Sequence, residues 1–287
     1  MAVTHPLLVE TEWLAARLDD PGIRIVDIRG IVKPVDQPKP HYLACHAEYA
    51  KDHIPSAVFV DWLVDIIQTD APIPMTVASP ERFAALMGRL GIGDHRHVIV
   101  YDHDGGQPAC RLWWALNYYG HPAASVLNGG YPKWTAEGRP VTPDVPKHPP
   151  AAFTPRPQRA WRAMMDDAQK AMQDPATVLV DTRPPIQFKG EQTRGQRKGR
   201  IPGAVNAPIF KYVEGPHKTF RSPDQIRQVF EAAGATWDKR VIAYCNAGVS
   251  ASVGLFALRL AGHPHATNFA GSWYEWERDP ANPIATG

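Results

Sequence analysis

The feature that most limits how this chain can fold is an internal repeat. Five short motifs of the first half recur, in the same order, in the second half. The matching pairs are residues 25–29 and 179–183, 53–57 and 200–204, 79–81 and 222–224, 98–102 and 241–245, and 128–134 and 271–276. The offset between the copies shrinks along the chain, so the first copy has the longer loops. Five matches in register predict a duplicated domain.

The composition agrees with two domains. The chain has 287 residues, of which 44% are hydrophobic and 21% charged, so each half can bury its own core. Seven of the 29 prolines lie between Pro140 and Pro157, where they exclude a helix or a central strand. We therefore predict domains at 1–140 and 161–287, joined by an extended proline-rich linker over 141–160.

Charge and cysteine content exclude several classes of protein. With 31 basic and 29 acidic residues the formal net charge is +2, which predicts no nucleic-acid partner. Residues 1–10 lack the apolar core of a signal peptide, and no later apolar run is long enough to span a membrane. Cys45, Cys110 and Cys245 form neither a disulfide framework nor a CxxC zinc pair. We expect a soluble cytoplasmic protein without a metal.

Short β-branched runs alternate with helical patterns in each copy. Residues 178–180 and 241–244 are continuous apolar runs, typical of buried parallel strands. Ser222 and Pro223 suit the N-cap and first residue of an amphipathic helix. Strands that alternate with helices predict an α/β fold, with a parallel sheet flanked by helices in each domain.

Cys245 stands where such a sheet binds ligands. It ends the strand 241–244, and the small residues 246–248 lead into a helix that reaches about Gly262. Unpaired N–H groups and the positive end of the helix dipole favour the thiolate, so we expect a lowered pKa and a reactive sulfur. From this pattern alone, a buried and unreactive cysteine remains the alternative.

Two chemistries use a cysteine loop of this kind. A cysteine phosphatase needs an arginine six residues after the cysteine to bind the phosphate. Ala251 occupies that position, and no lysine or arginine occurs between Cys245 and Arg259. Transfer of a single sulfur atom through a cysteine persulfide needs little more than backbone N–H donors. The loop therefore favours sulfur transfer.

Over nearly its whole length, the sequence resembles the tandem-domain sulfurtransferases of the rhodanese and 3-mercaptopyruvate sulfurtransferase type. The resemblance rests on the cysteine loop, on Asp181 with Arg183, and on residues 201–206 and 271–276. It implies two tandem rhodanese-like domains with one active site at Cys245, because Asp102 replaces the cysteine in the first copy. The implied persulfide loop consists of Asn246, Ala247, Gly248, Val249 and Ser250.

The resemblance also implies a reaction. A sulfane-sulfur donor such as thiosulfate passes its sulfur to Cys245, and cyanide or a thiol then accepts it, without a metal or organic cofactor. A 3-mercaptopyruvate sulfurtransferase is the alternative. A non-catalytic rhodanese-like binding module is a further one, which the intact Cys245 disfavours.

The choice of donor depends on residues upstream of the cysteine. The loop after Cys245 is neutral, as in the mercaptopyruvate branch of the family. That branch binds its substrate carboxylate with two arginines, and here Gln187 replaces the first while Arg194 matches the second. Leu63 and Met75 stand at the positions of its aspartate and histidine. These departures favour thiosulfate or another sulfane donor.

Positive charge for an anionic donor is expected from the segment 189–200. With Gln187, the predicted substrate-binding residues are Lys189, Arg194 and Arg200, and Arg197 and Lys198 lie in the same segment. The alternative is a solvated loop.

Other conspicuous residues have a structural interpretation. The pairs Asp27–Arg29 and Asp181–Arg183 occur in both copies and predict ion pairs, whereas Cys45 and Cys110 are expected to pack in the core. Residues 113–119 are rich in aromatic side chains, which predicts a helix that packs at the domain interface.

Overall fold

The computed structural model describes residues 5–287, which form two α/β halves of one design. Residues 1–4 belong to the first predicted domain and to the segment expected to lack a signal peptide, and they lie outside the described part. The strands of the first half are β1 (Leu8–Val9), β2 (Ile23–Asp27), β3 (Gly30–Val32), β4 (Tyr42–Ala44), β5 (Val58–Phe59), β6 (His97–Tyr101) and β7 (Ala124–Leu127). Its helices are α1 (Thr11–Ala15), α2 (His46–Lys51), α3 (Pro80–Arg89), α4 (Gln107–Tyr118) and α5 (Gly130–Ala136).

The second half repeats this plan after a short 3₁₀ helix at Arg159–Trp161. Its strands are β8 (Arg162–Ala163), β9 (Thr177–Asp181), β10 (Val205–Asn206), β11 (Val213–Glu214), β12 (Thr219–Phe220), β13 (Arg240–Tyr244) and β14 (Ala266–Phe269). Its helices are α6 (Met165–Ala171), α7 (Pro185–Phe188), α8 (Pro223–Ala232), α9 (Val249–Leu260) and α10 (Ser272–Trp276), with a second 3₁₀ helix at Ile209–Lys211. No helix within residues 5–287 has the length and apolar character needed to cross a membrane.

Each half contains a five-stranded sheet in which all neighbouring strands are parallel. The order is β1-β7-β6-β2-β5 in the first half and β10-β9-β13-β14-β8 in the second. Read from opposite edges, the two orders match strand for strand. Each half also has a two-stranded antiparallel hairpin, β3–β4 or β11–β12. The predicted fold class, two parallel sheets flanked by helices, is confirmed.

Alternate side chains of each sheet enter different cores. Ile25 of β2 lies in a core of the first half, and Ile242 of β13 lies in a core of the second half. Side chains on the opposite faces of the sheets, such as Val100, enter a third core that both halves share. Helices α4 and α9 meet there, with the ring of Trp113 4.9 Å from that of Phe256. The aromatic helix at 113–119 therefore packs between the two halves.

The proline-rich segment runs across the first half. In this fully described stretch, no helix or strand forms between the end of α5 and the 3₁₀ helix at Arg159–Trp161. The backbone instead bonds to the first half, with the N–H of Ala151 donating to the Gly88 carbonyl at 3.0 Å and that of Arg156 to the Tyr119 carbonyl at 2.8 Å. The segment is an extended connection that packs on the first half over much of its length.

Candidate active site

Cys245 lies at the carboxyl end of β13, the middle strand of the second sheet, and shortly before α9. The residue is 2% exposed. Gly248 caps α9 with a φ of +74°, a left-handed conformation that favours glycine. A Cβ at this position would lie 2.5 Å from the carbonyl oxygen of Ala270. Glycine therefore allows the tight turn that brings Cys245 to the helix N-terminus.

Helix α10 holds the backbone of this loop. The N–H groups of Trp273 and Tyr274 donate to the carbonyl oxygens of Cys245 and Asn246 at 3.0 and 2.9 Å. The N–H of Cys245 in turn donates to the hydroxyl of Ser272 at 3.1 Å. The motif at 271–276 thus fixes where the cysteine sits.

The carbonyl oxygen of Gly248 accepts three side-chain donors. Asn268 Nδ2 lies at 3.0 Å and Ser252 Oγ at 2.8 Å, both from the second half. The third donor is Nη1 of Arg111 at 3.2 Å, which comes from α4 of the first half. Sequence reasoning missed Arg111, although a lone arginine in the otherwise uncharged stretch 105–120 was a signal that could have identified it.

A cleft of about 370 Å³ lies between the two halves and reaches Cys245. The first half lines it with residues of the β3–β4 hairpin and with Gln107, and the second half with α7, the 3₁₀ helix at Ile209–Lys211 and the cysteine loop. Apolar side chains supply much of the wall, among them Val32, Val35, Tyr42, Ile186, Ile209 and Phe210. A small molecule can reach the cysteine through this cleft.

Four buried side-chain atoms of residues that line the cleft have no hydrogen-bond partner. They are Nη1 of Arg183, Oε1 of Gln187, Nη1 of Arg194 and Oδ1 of Asn246. Buried polar atoms are normally paired, so four unpaired ones in residues that line one cleft are unusual. The guanidinium of Arg194 is held over the ring of Tyr42 and donates to the carbonyl oxygen of Lys33, both in the first half.

Arg183 forms the expected ion pair with Asp181. Nη2 of Arg183 lies 2.6 Å from Oδ2 of Asp181, and the equivalent pair Arg29–Asp27 is 2.9 Å apart. Burial opposes the charge on Arg183, but the adjacent carboxylate outweighs it and raises the pKa of Arg183. Sequence reasoning did not assign Arg183 to the cleft, although it follows β9, whose carboxyl end adjoins that of β13.

The structure places two of the expected substrate-binding residues elsewhere. Lys189 and Arg200 do not line the cleft. Nη1 of Arg200 donates to the carbonyl oxygens of Phe188 at 3.2 Å and Gly287 at 2.8 Å, so this arginine holds the carboxyl-terminal segment. Leu63 and Met75 do not line the cleft either. Of the basic residues in the segment 189–200, Arg194 alone lines it.

The other two cysteines differ from Cys245 in their surroundings. Cys45 and Cys110 are 2% and 0% exposed, and neither lines the cleft. Burial raises the pKa of Cys45 to about 11 and also raises that of Cys110 well above its usual range. Both thiols are therefore poor nucleophiles at neutral pH.

In the first half, Asp102 is the counterpart of Cys245 and is 3% exposed. Its carboxylate accepts hydrogen bonds from the N–H groups of Asp104, Gly106 and Ala109, each at 3.0 Å. Burial raises the pKa of Asp102 even though these donors lower it. The first copy of the loop is thus a set of backbone donors around a side chain of the protein itself.

Comparison with protein families identifies both halves. The family model described as "Rhodanese-like domain" matches residues 10–137 and again residues 164–279. The chain belongs to the rhodanese family. The predicted family, with its domain present in two copies, is confirmed.

Individual members of the rhodanese family are similar over almost the whole chain. The sulfur carrier protein TtuD of Thermus thermophilus is 34% identical over 301 residues, which cover 100% of this chain and 99% of that protein. The thiosulfate sulfurtransferase of Bos taurus is 32% identical over 286 residues, covering 96% of this chain and 93% of that protein. The 3-mercaptopyruvate sulfurtransferase of Escherichia coli is 32% identical over 272 residues, covering 93% and 94%.

A solved rhodanese structure also matches. The crystal structure of SseA from Escherichia coli has a TM-score of 0.83 at 30% identity and covers 94% of this chain and 99% of that chain. Together these relatives confirm the predicted sulfurtransferase class. Both donors considered from the sequence, thiosulfate and 3-mercaptopyruvate, are compatible with the names of the relatives.

Proposed function

We propose that Cys245 carries a sulfane sulfur, as a persulfide, from thiosulfate or a similar small donor to cyanide or a thiol. The observation that carries this proposal is the position of Cys245, which lies both in the inter-domain cleft and at the N-terminus of α9. The first turn of a helix offers unpaired N–H groups and the positive end of the dipole, which stabilise a bound anion. The persulfide loop is residues 246–250.

The reaction balances without an oxidant or reductant. The thiolate of Cys245 attacks the sulfane sulfur of thiosulfate, and a new S–S bond forms. The S–S bond of thiosulfate breaks, and sulfite leaves with its electron pair. Cyanide then attacks the outer sulfur of the persulfide and leaves as thiocyanate, while the electron pair of the broken bond returns to Cys245.

Arg194 is the proposed source of positive charge for the donor. Its Nη1 has no partner, and the ion pairs within residues 5–287 include none with Arg194. Arg183 also lines the cleft and has an unpaired Nη1, but Asp181 balances its charge. Gln187 adds a neutral amide. We propose Arg183, Gln187 and Arg194 as the substrate-binding side chains, and we assign no such role to Lys189 or Arg200.

3-Mercaptopyruvate is the second candidate donor. Gln187 stands where the mercaptopyruvate branch has an arginine, yet Arg183 and Arg194 together bring two guanidinium groups to the cleft. Guanidinium groups bind carboxylates through paired N–H donors. The structure thus offers a carboxylate-binding arrangement different from the one expected from the sequence.

The experiment is to incubate the protein with thiosulfate, or separately with 3-mercaptopyruvate, and to measure its intact mass. We expect a gain of one sulfur atom, which disappears with release of thiocyanate when cyanide is added. Cys245→Ser should abolish the gain. Cys110→Ser is the matched control, because it removes a buried thiol outside the cleft and should leave the gain intact. No gain with either donor, or a gain that survives in Cys245→Ser, contradicts the proposal.

The two donors are then compared by their values of kcat/KM. We expect thiosulfate to be at least competitive with 3-mercaptopyruvate. Gln187→Arg should raise kcat/KM for 3-mercaptopyruvate if a second free cation is what the cleft lacks. An unchanged or lower value means that Arg183 and Arg194 already bind the carboxylate.

We propose that residues 1–140 are a non-catalytic domain, because Asp102 replaces the cysteine, and that residues 161–287 are the catalytic domain, joined to it by 141–160. We propose a cytoplasmic location, since Cys45, Cys110 and Cys245 are all free thiols. We propose no cofactor, and no nucleic-acid or membrane partner.

A further inference from the structure

Arg111 is a charged side chain in a helix whose residues 107–117 are all buried. Its Nη2 donates to the Met75 carbonyl oxygen at 2.7 Å and its Nη1 to that of Gly248 at 3.2 Å. The guanidinium carbon lies 4.3 Å from the centre of the Trp114 ring. Because α4 belongs to the first half, Arg111 reaches across the interface to the loop that begins at Cys245.

Among residues 5–287, no carboxylate forms an ion pair with Arg111. The ion pairs within the described part of the chain include none with this side chain, which is 1% exposed. A buried cation is costly unless an anion compensates it. Burial lowers the pKa of Arg111 to about 10, and an anionic Cys245 acts in the opposite direction. Arg111 is therefore protonated at neutral pH, and its guanidinium lies on the carbonyl of Gly248, three residues after Cys245.

The second half shows that packing alone does not require an arginine at this position. Helices α4 and α9 each have twelve residues and each follow a left-handed glycine, Gly106 or Gly248. Counted from these glycines, the counterpart of Arg111 is the buried Val253. At equivalent positions, the helix after Asp102 thus carries a cation that reaches the Cys245 loop, whereas the helix after Cys245 carries an apolar side chain.

We propose that Arg111 is a positioning residue which the first half supplies to the active site of the second. It holds the carbonyl of Gly248, which fixes the turn of the loop, and its charge stabilises the thiolate and the persulfide of Cys245. The inference rests on the proposed role of Cys245 in sulfur transfer. It gives a domain without a nucleophile a direct part in the reaction.

Arg111 differs from the other groups around the sulfur. The titratable and charged groups that face Cys245 or its cleft are Arg111 on α4, Lys33 and Asp36 after β3, Tyr42 on β4, Arg183 after β9, Arg194 after α7 and Tyr274 on α10. Lys33 is half-buried and Asp36 is exposed, so solvent screens both charges. Burial raises the pKa of both tyrosines, so they are neutral. Asp181 balances Arg183, and Arg194 is available to the substrate. Arg111 is therefore the group whose fixed charge acts on the sulfur before any donor binds.

The test is the pH dependence of alkylation of Cys245 by iodoacetamide, followed by mass spectrometry of the peptide that contains it. The rate follows the thiolate fraction, so its midpoint reports the thiol pKa. Arg111→Gln keeps N–H donors but loses the charge, and we expect the midpoint to rise by about one pH unit. Arg111→Lys keeps the charge, and we expect a midpoint within about 0.3 units of the wild-type value.

Arg259→Gln is the matched control. Its guanidinium is half-buried, lies over the ring of Trp161 and donates to the carbonyl oxygens of Pro264 and Ala266, but it sits at the opposite end of α9 from Cys245. This variant should keep the wild-type midpoint. A folded Arg111→Gln with an unchanged midpoint overturns the proposal. A rise of a full unit in Arg111→Lys also overturns it, and that result is decisive even if Arg111→Gln does not fold.

The alkylation requires no sulfur donor. A shifted midpoint together with no sulfur gain from thiosulfate or 3-mercaptopyruvate would support the role of Arg111 and contradict the proposed function. A sulfur gain with an unshifted midpoint would support the proposed function and contradict the role of Arg111.

Discussion

Asp102 and Cys245 occupy the same place in two copies of one fold. Each follows the middle strand of a parallel sheet and precedes a left-handed glycine that caps a twelve-residue helix. Their carbonyl oxygens are held alike, since Asp102 accepts from the N–H of Tyr131 at 2.9 Å and Cys245 from that of Trp273 at 3.0 Å. Their side chains differ, because the Asp102 carboxylate accepts from three backbone N–H groups of its own loop and the first turn of α4, whereas Cys245 borders a cleft.

The antiparallel hairpins explain the difference in access. The β11–β12 hairpin of the second half covers the Asp102 loop, with an ion pair of 2.5 Å between Lys218 and Asp104 and with Phe220 close to Gly106. The β3–β4 hairpin of the first half lies beside the Cys245 loop but leaves the cleft between them. A loop of backbone donors is therefore not sufficient for an active site. The anion that occupies it and the access of a small molecule decide what it does.

The largest effect should come from exchanging the two side chains. We expect Cys245→Ser to lower the rate of thiocyanate formation from thiosulfate and cyanide by at least about 10³-fold, because the nucleophile is lost. The double variant Asp102→Cys/Cys245→Ser should be equally inactive, since the β11–β12 hairpin covers the first loop. Recovery of activity in the double variant would show that a small molecule can reach the first loop.

The next effect should come from the capping glycines. In Gly248→Ala, the new Cβ meets the Ala270 carbonyl oxygen at 2.5 Å, so the loop must shift, and we expect kcat/KM to fall by about 10²-fold. In Gly106→Ala the nearest side chains lie at 3.4 Å, and we expect a loss of stability with less than about a 3-fold change in kcat/KM. Equal losses of activity in the two variants would show that sulfur transfer depends on the geometry of the first loop as much as on that of the second.

A smaller effect should come from removing the Asp102 carboxylate from the first loop. Asp102→Ala leaves buried N–H groups without an acceptor, and we expect the free energy of unfolding in urea to fall by about 2–3 kcal/mol. Sulfur transfer per folded molecule should change little. Lys218→Gln is the control, because its exposed ion pair with Asp104 should contribute less than about 0.5 kcal/mol. If Asp102→Ala were no less stable than Lys218→Gln, the carboxylate would not be what holds this loop.

The smallest expected difference between the two halves concerns the loss of folding stability at acidic pH. His97 begins β6 in the first half, where the exposed Arg240 begins β13 in the second. Burial lowers the pKa of His97 from 6.5 to about 4. As the pH falls from 6.5 to 4 the unfolded chain binds this proton first, so stability decreases across that window and this group adds no further loss below it.

His97→Gln should remove about 1 kcal/mol of this pH dependence. Melting temperatures of the wild type and the variant at pH 7 and pH 5 measure it. Parallel losses in the two proteins would mean that other groups, such as the buried His121 and His263, dominate the acid sensitivity.

Much of the fold could be predicted because its signals are local and occur twice. Ser79 and Ser222 cap α3 and α8, and each accepts a backbone N–H at 3.3 Å with proline next in the chain. The apolar runs of β9 and β13 form neighbouring strands in register. The packing of the proline-rich segment on the first half could not be predicted, because its bonds join residues far apart in sequence.

The candidate site was predicted less completely. Sequence reasoning identified Cys245, its loop and Arg194, which the structure brings to one cleft. It also selected Lys189 and Arg200 from the same basic segment, but neither lines the cleft, and Arg200 donates to the carbonyl oxygen of Gly287. It missed Arg111 because the contact with Gly248 joins two domains.

The duplication, the α/β fold and the copy that carries a cysteine after its middle strand could be read from the sequence, because each depends on motifs within one segment. Only the packing of the two halves determines which cations lie near the sulfur of Cys245 and which loop a small molecule can reach. Those properties depend on how α4 packs on α9 and on where each hairpin crosses to the other half. Burial and distance set the strength of a charge, and both arise only when the two copies assemble.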